Sequence, residues 1–183
     1  MFWGILIFVI GLAVGSFVNV LIYRLPRGEN FTNARSRCPS CSSQLKWFDL
    51  VPILSFIYLK GRCRSCGIRI SLTYPVVELG TGLLVYLVWL FFGTNPWLAI
   101  FWAVVAVFLL VLFLFDLKYY ILPDIILGSL ALFIVCYGLV ASYLGHLLLL
   151  VSWREALIAG VVISSLLGAI WLFSQGRWLG FGD

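Results

Sequence analysis

The chain is built around long, uninterrupted runs of apolar residues. Three of these runs, at residues 2–23, 97–115 and 156–173, contain no charged residue, and two more, at 74–92 and 121–144, contain a single acid each. A bilayer core requires about 20 apolar residues in a helix, because lipid offers the backbone no hydrogen-bonding partner. The runs therefore predict an all-α polytopic membrane protein with about five transmembrane helices.

The few charged residues are unevenly placed. Only 10% of the residues are charged, whereas soluble domains approach 25%. Nine Lys and Arg residues lie between Arg24 and Arg69, where Glu29 and Asp49 are the only acids, so this stretch carries a net charge of +7. In a soluble protein such a stretch would suggest nucleic acid, but between apolar spans it indicates a cytoplasmic loop. We therefore expect the lipid bilayer as a partner and no nucleic acid.

This loop sets the orientation that the sequence predicts. The first run lacks a basic amino-terminal region and a small-residue cleavage site, so we expect it to stay attached as a helix. With the N-terminus outside, eleven Lys and Arg residues fall on the cytoplasmic side and only Arg154 falls outside. The organisation we expect is a first helix at 1–23, a cytoplasmic loop at 24–73 and a membrane core at 74–183, with no internal repeat.

Two CxxC pairs lie in the predicted cytoplasmic loop, Cys38 with Cys41 and Cys63 with Cys66. Two such pairs can complete a tetrahedral site, and we expect structural zinc, with an iron site as the alternative. Disulfides are disfavoured because the cytoplasm is reducing. The metal would fold a loop that is too polar and short to build its own core. Cys136 is the only cysteine in the run at 121–144, and we interpret it as a packing residue.

Three acids fall at the cytoplasmic edge of the predicted spans, although they come from separate segments. Asp116 directly follows the run at 97–115, Asp124 lies early in the run at 121–144, and Asp183 is the last residue. Two carboxylates held close together can share a proton, so that one acts as a base toward water and the other as an acid toward a scissile carbonyl. Asp116 alone would suggest a helix-end charge. The glycines of residues 180–183, GFGD, permit close backbone approach and favour a carboxylate pair.

Glu78 is a further acidic candidate. It lies inside the run at 74–92, near the cytoplasmic end of that run. An acid at membrane depth is costly and is a functional candidate by default, but it can equally pair with an Arg of the basic loop. Both interpretations stay open on the sequence alone. A serine nucleophile is disfavoured, because the chain has no G-x-S-x-G motif and its single His146 falls on the opposite side.

Taken in order, these motifs resemble those of the type IV prepilin peptidases. The resemblance covers nearly the whole chain, and several matching motifs in the same order are far more specific than any one alone. The matching segments are GSFVNVLIYRLP at 15–26, the two CxxC pairs, YPVVEL at 74–79, DLK at 116–118 with LPD at 122–124, and GFGD at 180–183.

The resemblance implies a GxGD-type aspartic endopeptidase of the bacterial inner membrane that serves type IV pilus assembly and type II secretion. Such enzymes cleave the leader peptide of prepilins and pseudopilins on the cytoplasmic side, and many then methylate the new N-terminus with S-adenosylmethionine. Carried over by motif, Asp116 and Asp183 are the expected catalytic pair. The residues expected in supporting roles are Asp124, Glu78, Gly180 and Gly182.

The resemblance also links the cysteine loop to methyl transfer, where Gly61 and Arg62 match a glycine-basic step before the second cysteine pair. Family members usually continue through further apolar spans after the GxGD motif, so we expect the chain to be truncated at its C-terminus. The alternative is a non-catalytic scaffold, in which the zinc loop binds a partner in pilus or secretion assembly. A transporter has less support, because the spans show no inverted repeat.

Overall fold

The structure is a computed structural model, and it describes residues 2–29, 36–38 and 40–143, with positions 158, 160–163, 165, 169, 172 and 173. Helices dominate the described residues, which contain no β-strand and only two isolated β-bridges. The predicted all-α fold class is therefore confirmed. The helices are α1 (Phe2–Arg24), α2 (Leu54–Tyr58), α3 (Thr73–Phe92), α4 (Pro96–Tyr119) and α5 (Asp124–Tyr143).

Three of these helices, α1, α3 and α4, are long and apolar enough to cross a membrane. They confirm the first three predicted spans. The fourth corresponds to α5, whose apolar part, Asp124–Val140, is shorter than the other three. In the fifth, residues 156–173, the described positions are helical, and the remaining positions lie outside the described residues.

The chain divides by its internal contacts into two units, Met1–Ile126 and Leu127–Asp183. The first unit contains α1 to α4 and the loop that carries the cysteines. The second contains most of α5 and the helical positions between 158 and 173. The contacts described below lie within the first unit.

Small residues allow the backbones of α1 and α3 to pack against each other. A Cβ atom at Gly11 would lie 2.8 Å from the Cα of Gly82, and one at Gly15 would lie 2.7 Å from the Cα of Glu78. Since α1 ascends in number while its contacts on α3 descend, the two helices are antiparallel. In lipid there is little hydrophobic drive between helices, so close backbone packing of this kind is a main source of their association.

Polar groups along the same interface are paired. Asn19, only 7% exposed, donates its side-chain N–H to the Tyr74 carbonyl across the helix pair at 3.0 Å. Thr81, with no exposed surface, donates its hydroxyl to the Val77 carbonyl within α3 at 2.7 Å. Paired in this way, the polar side chains avoid the cost of an unsatisfied group in an apolar interior.

The helix α4 follows α3 after a short turn and returns to the end of α1. Asn95 caps its N-terminus by accepting a hydrogen bond from the Leu98 amide at 3.3 Å, which is the usual role of an Asn at this position. At the other end, the Tyr119 hydroxyl donates to the carbonyl of Ile22 at 3.0 Å. The C-terminal ends of α1 and α4 therefore lie together, on the side from which the cysteine loop departs.

Replacing Gly15 with alanine tests the backbone packing of α1 and α3. The added Cβ meets a backbone atom that cannot move aside, so we expect the free energy of unfolding to fall by roughly 1–3 kcal/mol. Gly80→Ala is the matched control, because nothing lies within 4 Å of a Cβ at that position. Unfolding by dodecyl sulfate in mixed micelles, followed by circular dichroism, measures both. Equal stabilities of the two variants would contradict the packing described here.

Candidate metal centre and acidic sites

The four cysteines of the loop converge on one point. The sulfur atoms of Cys38, Cys41, Cys63 and Cys66 all lie within 4.8 Å of one another, and those of Cys38 and Cys66 are 3.9 Å apart. Four thiolates around an ion, each at about 2.3 Å, would have sulfur atoms separated by about 3.8 Å. The arrangement therefore fits a tetrahedral metal ion of the size of zinc.

Each cysteine pair lies in a small hairpin, and the two hairpins have the same hydrogen bonds. The Cys38 amide donates to the Ser43 carbonyl at 2.9 Å, and the Cys63 amide donates to the Ile68 carbonyl at 2.8 Å. An isolated antiparallel bridge closes each hairpin on its outer side. The cysteine pairs are thus two copies of one structural unit.

The turn of each hairpin contains a residue with positive φ immediately after its second cysteine. This residue is Ser42, with φ 55°, in the first hairpin and Gly67, with φ 70°, in the second. Each donates its amide to the carbonyl of the first cysteine of its pair at 2.9 Å. Serine is strained in this conformation, whereas glycine adopts it readily, so the second hairpin carries the residue better suited to the turn.

We predicted no internal repeat, yet a short one underlies these hairpins. Residues 37–41 read RCPSC and residues 62–66 read RCRSC. The repeat is too short to be noticed at the scale of whole spans. Aligning the chain on its CxxC pairs would have exposed it before the structure did.

Hydrogen bonds to sulfur lower the pKa of two of the four thiols. The side chain and then the amide of Ser43 lower the pKa of the Cys41 thiol to about 6, and the amides of Cys66 and Ser65 lower the pKa of Cys63. At Cys66 the amide of the residue two positions later lowers the pKa, but burial and the neighbouring thiols raise it to about 11. A cation would complete this deprotonation, because metal ligation requires thiolates.

Glu78 is buried beneath the loop, with 8% of its surface exposed. Its Oε2 atom accepts a hydrogen bond from the backbone amide of Ile53 at 2.8 Å, and its Cα lies against α1, 2.7 Å from the position that a Cβ at Gly15 would occupy. Glu78 therefore links α1, α3 and the loop. Neither sequence interpretation of this acid anticipated a backbone partner in the loop.

The turn that presents the Ile53 amide is unusual. Ile53 has φ 59° and ψ −49°, in a region that β-branched residues rarely adopt. The next amide, that of Leu54, donates back to the Pro52 carbonyl, which closes a tight γ-turn around Ile53. The hydrogen bond to Glu78 compensates for part of the strain in this turn, because it satisfies the Ile53 amide.

Gly61 joins α2 to the second hairpin. Its φ is 65°, and a Cβ there would lie 3.0 Å from the Phe56 ring, while its carbonyl accepts the Ile70 amide at 2.8 Å. The adjacent Arg62 is exposed and lies in the bridge with Arg69 that closes the hairpin. Glycine is therefore needed at position 61 for the loop to reach the metal site.

Two of the predicted acids flank one short turn. Asp116 is exposed in the last turn of α4, which ends where Tyr120 adopts φ 54° and donates its amide to the Asp116 carbonyl at 2.9 Å. Asp124 is the first residue of α5, only a few positions further on. Both acids therefore lie at the end of α4 that contacts α1 near the loop. The remaining predicted site residues, Gly180, Gly182 and Asp183, lie outside the described residues.

A cleft of about 410 Å³ opens in the segment between the two cysteine pairs. It is lined mainly by apolar side chains, including Phe48, Leu54 and Tyr58. Its charged groups pair with each other, since Arg64 Nη2 lies 2.7 Å from Asp49 Oδ1, and the guanidinium also stacks 4.6 Å from the centre of the Phe48 ring. The cleft thus offers mainly apolar contact.

Comparison with known proteins gives consistent similarities. The sequence profile of the Bacterial Peptidase A24 N-terminal domain matches residues 9–92. Proteins named prepilin leader peptidase/N-methyltransferase are 36% identical over 99% of the chain in Klebsiella pneumoniae, 46% identical over 66% of it in Myxococcus xanthus and 38% identical over 67% of it in Vibrio cholerae.

The chain matches different shares of these relatives. The matched part is 80% of the Klebsiella protein, 51% of the Vibrio protein and 36% of the Myxococcus protein. No solved structure matches the chain.

Glu78→Ala tests whether this acid anchors the loop. Removing the acceptor leaves the Ile53 amide unpaired at a cost of roughly 1–3 kcal/mol, so we expect its hydrogen exchange to accelerate by about fivefold or more. Glu78→Gln keeps an acceptor oxygen and should retain most of the protection. Hydrogen–deuterium exchange with mass spectrometry measures the peptide around Ile53, and unchanged protection in the alanine variant would contradict the anchoring role.

Proposed function

The chain belongs to the prepilin leader peptidase/N-methyltransferase family, and from this we propose that it is a membrane aspartic endopeptidase that removes the leader peptide of prepilins or pseudopilins. Cleavage takes place on the cytoplasmic side of the bacterial inner membrane, with the N-terminus of the chain outside. The products serve type IV pilus assembly and type II secretion. The observation that carries the proposal is the Tyr119–Ile22 hydrogen bond, because it brings the end of α4 that bears Asp116 to the side of the cysteine loop.

In the proposed reaction, Asp116 and Asp183 share one proton. The ionised carboxylate accepts a proton from water as the water attacks the scissile carbonyl, and the protonated one donates its proton to the carbonyl oxygen. When the tetrahedral intermediate collapses, the first passes the proton from water to the leaving amine and the second takes its own proton back from the hydroxyl, which restores the pair. Asp116 is exposed at its helix end, which supports access of a substrate to it. The assignment of Asp183 rests on the GFGD motif, in which Gly180 and Gly182 permit close approach of the substrate backbone.

The other acids act by supporting this pair. Asp124 begins α5 just after the turn that follows Asp116, so it is assigned a supporting role beside the catalytic acid. Glu78 is a positioning residue, because it binds the loop backbone through Ile53. The apolar helix of a prepilin packs against the spans, and this leaves its polar leader at the membrane edge where the acids lie.

The loop at 24–73 is the region to which we assign N-methylation of the new N-terminus. S-adenosylmethionine supplies the methyl group, which passes from its sulfonium to the free amine of the cleaved product. Cys38, Cys41, Cys63 and Cys66 would hold a structural zinc ion, which would fold the loop. Gly61 supports this assignment by its left-handed backbone conformation, because it shapes the connection from α2 to the second cysteine hairpin.

Asp116→Asn and Asp183→Asn test the peptidase. Each removes a proton-transfer group, so we expect leader cleavage to fall at least about 100-fold while membrane insertion stays intact. The purified protein in lipid vesicles is incubated with a prepilin, and the mass of the product's N-terminus reports both cleavage and an added methyl group. Glu29→Gln, at an exposed acid with no assigned role, is the control.

The possible outcomes separate the proposed activities. Cleavage with a methyl increment supports both activities, and cleavage without it supports the peptidase alone. Full cleavage by the Asp116 or Asp183 variant would refute the acid pair. An unchanged substrate with the wild-type chain would favour a scaffold.

Substitution of the cysteines tests the metal. We expect about one zinc per chain, and Cys38→Ser with Cys63→Ser should abolish it because two of the four ligands are lost. Cys136→Ser is the matched control, since Cys136 lies on α5 outside the cluster. Elemental analysis of the purified protein gives the stoichiometry. Absence of metal from the wild-type chain, or iron in place of zinc, would overturn the assignment.

A further inference from the structure

The segment between the two cysteine pairs exposes more apolar surface than a water-soluble loop would. Residues 47–59 read WFDLVPILSFIYL and contain one charge, Asp49, which is neutralised by its ion pair with Arg64 at 2.7 Å. An apolar stretch of this length is too short to span a bilayer and is typical of a segment at its surface or of a buried core.

The exposure of its side chains excludes a buried core in the described part of the chain. Leu54, Ile57 and Tyr58 are 66%, 65% and 77% exposed, and their spacing on α2 places them on one face of the helix. The preceding turn, Trp47–Leu50, adds Trp47, which is 79% exposed. Large apolar side chains exposed this close together in one short segment indicate an interaction surface.

The depth of this segment relative to the membrane follows from its contact with Glu78. The 20 residues of α3 extend about 30 Å, which equals the thickness of the hydrocarbon core. Glu78 lies five positions after Thr73, the first residue of α3, so it is about 7.5 Å inside that end. Ile53 is hydrogen-bonded to it at 2.8 Å. The loop therefore reaches below the boundary between headgroups and acyl chains at this point.

The residues at both ends of the segment suit such a boundary. Lys46 precedes it and Lys60 follows it, and both are exposed, which places a cation at each end within reach of anionic headgroups. Trp47 and Tyr58 are aromatic residues with a polar atom, the type that is enriched at membrane interfaces.

We propose that residues 47–59 form an interfacial membrane anchor, with Trp47, Leu54, Ile57 and Tyr58 inserted among the lipids and the lysines at the headgroups. Amphipathic segments of this type bury their apolar face about 5–10 Å below the headgroup boundary, which agrees with the depth inferred from Glu78. The anchor holds the two cysteine hairpins against the bilayer. This proposal requires only that α3 crosses the membrane and is independent of the enzymatic activity.

Photo-crosslinking tests the proposal on the full chain. Benzoylphenylalanine replaces Ile57 in one variant and Tyr58 in a second. The wild-type chain already has an exposed aromatic ring at Tyr58, so the second variant should preserve the fold. Ile68, 47% exposed in the second cysteine hairpin, is the control position. The proteins are reconstituted in vesicles of phosphatidylethanolamine and phosphatidylglycerol, irradiated and analysed by intact mass.

We expect phospholipid adducts at positions 57 and 58 to be several-fold more abundant than at position 68. Equal yields at the three positions, or no lipid adduct at 57 and 58, would overturn the anchor. A cross-link that joins two copies of the chain at position 57 or 58 would also overturn it, because the patch would then be a protein interface.

Discussion

The close contact between α1 and α3 is the constraint on which the described structure depends. Within a bilayer, helices gain little by burying apolar side chains against each other, so their association relies on packing and on interhelical hydrogen bonds. Gly11 and Gly15 supply the packing because a side chain at either position would meet the backbone of α3. The same close approach encloses Glu78 between the helices and allows it to bind the loop.

A few hydrogen bonds then bring distant parts of the sequence to one end of the helices. Glu78 holds the loop at Ile53, and Tyr119 holds the end of α4 against Ile22. Because the turn after α4 is short, Asp116 and Asp124 are carried to the same end. The location that we propose for chemistry is thus a consequence of helix packing, although Asp116 itself is exposed at its helix end.

The cysteine loop is stabilised in a different way from the helices. Few of its apolar side chains are buried, and the apolar side chains around α2 are exposed. Burial in the described part of the loop therefore contributes little to its stability. Two hairpins of the same design supply the order instead, each presenting two sulfur atoms to one point. A bound ion would join them, and the bilayer surface would cover the apolar patch. A metal ion and the membrane would then stabilise the loop, whereas a soluble domain is stabilised by its own apolar core.

The sequence by itself determined the elements whose signals are local. Length and apolarity predicted three spans within a few residues, and the CxxC spacing predicted the cysteine cluster, because both depend on neighbours along the chain. Tertiary structure alone decided that Gly15 lies against Glu78, that Glu78 binds the amide of a strained Ile53, and that Tyr119 reaches α1. Such contacts join residues far apart in sequence, and they depend on which face of each helix packs against its neighbour. A run of uniformly apolar residues does not indicate that face.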